Sequence, residues 1–215
     1  MLVLAGLACP AAVSAQAAGQ PFVWAGDPEG GAPFVQADPN NPDRLEGFDV
    51  EVAELLARGL GRTPRFTFIT FTSIPQGVAR GDADIGLSGI EDTAALRTSM
   101  SVTLPYYEFR EVLAVRDADV SRYRTLADLA GRRVGTLGGT TAYEILLRAQ
   151  TTSGLVPVSY DDDVHPYEDL VNGRLDAVLL DNVLALRRQK SVKGYVVQPE
   201  TVAIGHYAGV LSREA

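Results

Sequence analysis

The chain has 215 residues, 46% of them hydrophobic and 21% charged, with 27 Asp and Glu against 19 Lys and Arg. That length and balance allow one or two domains with a full core and argue against disorder. A formal charge of −8 argues against a non-specific nucleic-acid binder, which wants a basic face.

Residues 1–17, MLVLAGLACPAAVSAQA, form an apolar run ending in small residues, with Ala15-Gln16-Ala17 as an A-x-A cleavage site. This reads as a secretory signal peptide. The run is too short to span a bilayer, and Pro10 interrupts it. Cys9 is the single cysteine and lies inside the run, so the mature chain is expected to have no disulfide or thiol chemistry. Residues 22–25 and 65–71 read as strands, and between them Val52, Leu55, Leu56 and Leu60 recur at helical spacing. DPNNP at 38–42 is a turn cluster between strand and helix. Residues 85–87 give another short buried strand, followed by a loop at Gly89 and a helix start.

A second series begins with the strand EVLAV at 111–115. It continues as helix-like TLADLAG, strand VGTL, helix AYEILLRAQ, a strand near 156–160, helix YEDLVNG and strand AVLL. Asp161-Asp162-Asp163 reads as a solvated turn. The alternation predicts an α/β fold with helices packed on mostly parallel sheets. Two lobes are expected: residues 18–107 plus 202–215, and residues 108–201, with crossings near 107–110 and 202–206. Paired crossings let lobes close without tearing either core.

Four blocks carry a resemblance. They are GFDVEVAELLARGLG at 47–61, IPQGVARGDADIGLSGIEDT at 74–93 with Pro105-Tyr106-Tyr107 beyond it, TLADLAGRRVGTLGGTTAYEILL at 125–147, and YEDLVNGRLDAVLLDN at 167–182. In this order they resemble family 3 of the bacterial extracellular solute-binding proteins, the polar amino-acid receptors of ABC transporters. The likeness covers nearly everything from about residue 22 onward. It implies a two-lobe periplasmic-binding-protein-like (type II) fold with two hinge crossings. It also implies a monomeric, periplasmic, non-enzymatic protein without a cofactor, which closes on a small-molecule ligand and docks on a permease in the inner membrane. The family continues with two helices that return to the first lobe beyond the position of Ala215, so an exposed patch on that lobe and poor stability in isolation are expected.

A zwitterionic amino acid needs donors for its carboxylate and a paired acceptor for its ammonium, both shielded from water. Gly138-Gly139-Thr140-Thr141 leads into a helix, and Thr141 with Glu144 fits a capping box that leaves backbone N–H groups for an anion. The resemblance sets Thr140 and Thr141 on the ligand carboxylate; capping alone is the competing reading. Asp181 ends the strand AVLL, at the strand end where α/β folds bind ligands. The resemblance gives it the ligand ammonium; a helix cap is the alternative. Ser88 and Gly89, at the end of a first-lobe strand, read as backbone contacts or as an ordinary turn. Phe71 stands where the family sets an aromatic over the ligand, or is a plain core residue. A second stacking aromatic is absent near Gly30-Gly31-Ala32, which widens the pocket on one side.

Two positions depart from the pattern. The family places an arginine three residues after the threonine matching Thr93, and here that position is Leu96, with Arg97 one step further and ~100° around a helix. Glu91 stands where the family has a Ser or Thr donor, and an ionised glutamate repels a carboxylate. Glu91 then points away, or the ligand carries extra positive charge, or recognition has changed.

His165 and His206 lie far apart with no cysteine beside them, which argues against a metal site. Gly86-Leu87-Ser88-Gly89 lacks the spacing of a nucleophile elbow, and Gly138-Gly139-Thr140-Thr141 has no P-loop lysine. The alternatives are a periplasmic dehydratase on the same fold, with Glu91 or Glu168 as general acid, and a sensing domain fused to a permease or kinase.

Overall fold

A computed structural model describes residues 19–29 and 31–214; the signal-peptide reading, Cys9, Gly30 and Ala215 lie outside the described residues. The first half runs β1 (Phe22–Gly26), β2 (Gln36–Asp38), β3 (Asn41–Glu46), α1 (Phe48–Gly59), β4 (Pro64–Phe68), α2 (Ile74–Arg80), β5 (Ile85–Gly86), α3 (Ala94–Ser99) and β6 (Ser101–Val102). The second runs β7 (Tyr107–Arg116), β8 (Arg133–Leu137), α4 (Thr141–Ser153), β9 (Val156–Tyr160), α5 (His165–Val171), β10 (Ala177–Asp181), α6 (Asn182–Ser191), β11 (Tyr195–Tyr207) and β12 (Val210–Leu211).

These strands form two five-stranded sheets, ordered β4-β1-β5-β12-β6 and β11-β7-β10-β8-β9. Both are mixed rather than mostly parallel. β1 lies parallel to β4 and β5, and β8 parallel to β9 and β10, but β7, β11 and β12 pair antiparallel. The reason is that the chain leaves the first sheet between β6 and β7 and returns between β11 and β12, so outgoing and returning strands run in opposite directions.

Each sheet has its own buried core. Leu113, Val134, Leu146, Leu170 and Leu179 centre one, and Trp24, Val35, Ile85 and Leu87 the other. A smaller cluster of Phe34, Phe109, Leu184 and Tyr207 joins elements of both halves. Among the described residues no helix is long and apolar enough to cross a membrane.

Three elements differ from the sequence reading. DPNNP lies in a hairpin: Asp38 pairs with Asn41 across β2 and β3, and the Asp38 carboxylate accepts the Asn40 N–H at 2.8 Å. The strand expected over 65–71 stops at Phe68, and Phe71–Ser73 is a 3-10 turn because the Phe71 N–H is drawn to Asp27 Oδ2 at 2.8 Å. TLADLAG is a single 3-10 turn, Leu126–Leu129, closed by a Thr125–Asp128 capping box.

Helix α1 forms where its spacing predicted, but it buries Asp49, Ala53 and Ala57 rather than its leucines. Small side chains let it lie close on the sheet, while Leu55 and Leu60 remain 60% and 58% exposed.

Candidate ligand-binding site

A crevice lies where the two sheets face each other. Its walls come from the ends of β1 and β5 on one side and from β8, β9, β10 and α6 on the other. They include Phe71, Ser88, Gly89, Thr140 and Asp181, five of the seven residues singled out in the sequence. Phe34, Leu137 and Leu184 supply the apolar surface. The remaining polar lining is acidic: Asp27, Glu29, Glu91, Asp161, Asp162 and Asp163. No lysine, arginine or histidine is among the lining residues.

On the first-sheet side, Asp49 organises the loop after β5. Gly47 carries φ 138° at the start of α1 and sits against the Phe34 carbonyl, where a Cβ has no room. This sets Asp49 in the first helical turn, fully buried, with its Oδ2 accepting the N–H groups of Ser88 and Gly89, both at 2.6 Å. Burial nonetheless raises the Asp49 pKa, the two backbone donors opposing it. Ser88 Oγ accepts the Asp27 N–H at 3.2 Å. The backbone donors of Ser88 and Gly89 are therefore spent inside the protein. Sequence reasoning missed Asp49, because its partners lie 39 and 40 residues away.

On the second-sheet side, Thr140 rather than Thr141 caps α4. Thr140 is extended, at ψ 163°, and its Oγ1 accepts the Tyr143 N–H at 3.2 Å while donating to the Leu137 carbonyl at 2.7 Å. The Thr141–Glu144 capping box does not form, since the helix starts one residue earlier than that register requires. Asp181 caps α6, its Oδ1 accepting the Leu184 N–H at 2.9 Å. Its side chain is buried, and burial raises its pKa to about 6 against the pull of that backbone bond.

Glu91 joins the two sides. Its Oε2 accepts the Thr141 N–H at 2.6 Å, so its carboxyl rests on the first turn of α4. Full burial first, and Asp181 second, push its pKa up to about 8. Behind it stands Glu111 of β7, also fully buried, both carboxyl oxygens without a hydrogen-bond partner of normal geometry among the described residues. Burial and the carboxyls of Glu91 and Asp181 push Glu111 up to about 10. Tyr207, which bridges to Glu91 in the backbone, packs edge-on to Phe34 at 4.9 Å and stacks on Phe109 at 4.5 Å. No local signal marks Glu111 or Tyr207, which meet Asp181 only through sheet pairing and packing.

Arg97 is not in the crevice. Its guanidinium binds Asp92 in bidentate fashion, Nε and Nη2 each 2.6 Å from a carboxylate oxygen, with the side chain half exposed. The acidic run at 161–163 is not simply solvated either. Asp163 is 3% exposed with Arg188 Nε at 3.5 Å, and Asp162 pairs with His165 Nδ1 at 2.6 Å. Glu168, weighed as a general acid, lies on the exposed side of α5. Among the described residues no cluster has the composition of a metal site.

The model of the bacterial extracellular solute-binding proteins, family 3, matches residues 25–190. The ABC transporter arginine-binding protein 1 of Escherichia coli (strain K12) is 30% identical over 177 residues, covering 82% of this chain and 70% of that protein. The L-cystine-binding protein TcyJ of the same strain is 30% identical over 143 residues, 66% of this chain and 53% of TcyJ. The chain thus spans between about half and 70% of the length of these relatives. Among solved structures, the arginine-bound form of truncated ArgBP from T. maritima superposes with TM-score 0.78 at 25% identity, covering 90% of this chain and 88% of that one. Sequence blocks, fold and relatives agree: the chain belongs to family 3 of the bacterial extracellular solute-binding proteins.

Proposed function

We propose that this protein captures a small polar solute of the amino-acid class in the crevice between its sheets and delivers it to an ABC transporter permease from the periplasm. The two sheets act as two lobes, residues 18–107 with 202–215 and residues 108–201, that close on the ligand as a monomer. The observation that carries this reading is the meeting of Phe71, Ser88 and Gly89 with Thr140 and Asp181 in one lined space. A ligand touching both walls binds the closed form better than the open one, and that difference drives closure. Asp181 takes the ligand's positive group, because it is a buried carboxylate without a cationic partner at the crevice wall. Relatives named for arginine and cystine support the substrate class.

The test is a thermal-shift screen against the twenty amino acids and related small cations. A ligand at ~100 times its dissociation constant adds ~2.7 kcal/mol of stability. A response to none of them sinks the receptor reading.

One observation favours a second reading. Glu91 is a crevice carboxyl held protonated near neutral pH, which is what a general acid requires. Turnover of a cyclic hydroxy acid, abolished in Glu91→Gln, is the result that moves the assignment to a dehydratase.

A further inference from the structure

The groups singled out above for a ligand carboxylate are already engaged within the chain, most of them on its own carboxyl groups. The Ser88 and Gly89 N–H groups donate to Asp49. The Thr141 N–H, at the start of α4, donates to Glu91. The Thr140 hydroxyl is engaged with Leu137 and Tyr143. Arg97 is clamped on Asp92 outside the crevice. What remains facing the space is acidic and apolar; among the described residues Asp181 has no cationic partner at the wall, and Glu111, buried behind Glu91, has no hydrogen-bond partner of normal geometry.

We propose that the crevice takes a small organic cation without a free carboxylate, an amine or guanidine, and that Glu91 occupies the position that the carboxylate of a zwitterionic amino acid would need. This rests on the solute-receptor reading and specifies its substrate class. An amino-acid carboxylate would have to displace Glu91 from the Thr141 N–H and then lie beside it, Asp181 and Glu111, none of which has a compensating cation within the lining. A decarboxylated basic amino acid meets no such obstacle. Its ammonium or guanidinium finds Asp181 and Glu91, and its methylene chain finds Phe34, Leu137 and Leu184.

The experiment is isothermal titration calorimetry in matched pairs: agmatine against L-arginine, cadaverine against L-lysine, putrescine against L-ornithine. The expected result is that at least one decarboxylated member binds about tenfold or more tightly than its parent. A parent binding as tightly as its partner, or more tightly, overturns the inference and leaves the receptor reading standing. Silence from all six compounds overturns the inference; the receptor reading falls with it only if the twenty amino acids are silent too.

Two variants separate charge from occupancy. Glu91→Gln keeps an acceptor on the Thr141 N–H but cannot ionise in answer to a bound cation, so it weakens the cation without admitting the amino acid. Glu91→Ser empties the position, so it admits the parent amino acid. A Glu91→Ser protein that folds, binds the cation unchanged and still excludes the parent contradicts the assignment of Glu91.

Discussion

The Glu91 carboxyl accepts the Thr141 N–H at 2.6 Å across the crevice, tying the loop after β5 to the first turn of α4. A tie between elements of the two sheets favours the closed arrangement. Glu91→Ala should shift the open–closed balance toward open by ~1–3 kcal/mol, a 5–150-fold change in population. Small-angle scattering of the ligand-free protein reads this as a larger radius of gyration. An unchanged radius means that the cluster of Phe34, Phe109, Leu184 and Tyr207 is sufficient to hold closure.

Stability should fall as pH rises. Burial lifts Glu91 from 4.5 to about 8, Glu111 from 4.5 to about 10 and Asp181 from 3.8 to about 6. The folded chain keeps these protons after the unfolded chain has released them, so their contribution is full below pH ~4 and is lost through the folded values. Glu144 and Asp163, the other charges acting on Glu91 and Asp181, are acidic and push the same way. Thermal melts of the ligand-free protein are expected to show a decreasing midpoint from pH 5 to pH 9, with a flatter slope in Glu111→Gln. A midpoint that rises over this range contradicts the assignment.

Asp49 should matter for folding more than for ligand contact. Asp49→Ala strands the buried N–H groups of Ser88 and Gly89, at a cost of ~2–4 kcal/mol. For a chain of this size each kcal/mol lowers the melting point by ~2–4 °C. The expected loss is thus of the order of 10 °C, and a change below a degree or two would show that the loop is held by something else.

Asp181 offers a cleaner test of the ammonium site. Asparagine caps helices as well as aspartate does, so Asp181→Asn should leave α6 and the melting point nearly intact. It removes the charge, and binding of a cationic solute is expected to weaken about a hundredfold, as measured by titration calorimetry. Retained affinity assigns the cation to Glu91 or to the acids at the crevice mouth instead.

The alternation of strand and helix was legible because apolar spacing is a local property, and so were the wall residues that sit at strand ends. The hairpin of β2 and β3 was not: residues 41–44 face solvent and Leu45 alone packs on the core, so the strand carries no periodic signal. The cap of α4 was misplaced by one residue because two adjacent threonines offer the same chemistry, and only backbone geometry distinguishes them. Leu96 and Glu91 could be flagged as departures from position alone. What Glu91 does could not, since Thr141 lies 50 residues away and Glu111 and Asp181 reach it only through the second sheet.

Gly89 carries φ +66°, and a Cβ there would stand 2.6 Å from the Phe34 ring. Any side chain at this position would drive Phe34 off Tyr207 and disturb the contact between the halves. This corner of the crevice is therefore closed to gradual divergence. A descendant chain acquiring a new preference has to change through Phe71, Leu137 or Leu184, and the corner at Gly89 passes unaltered from one specificity to the next.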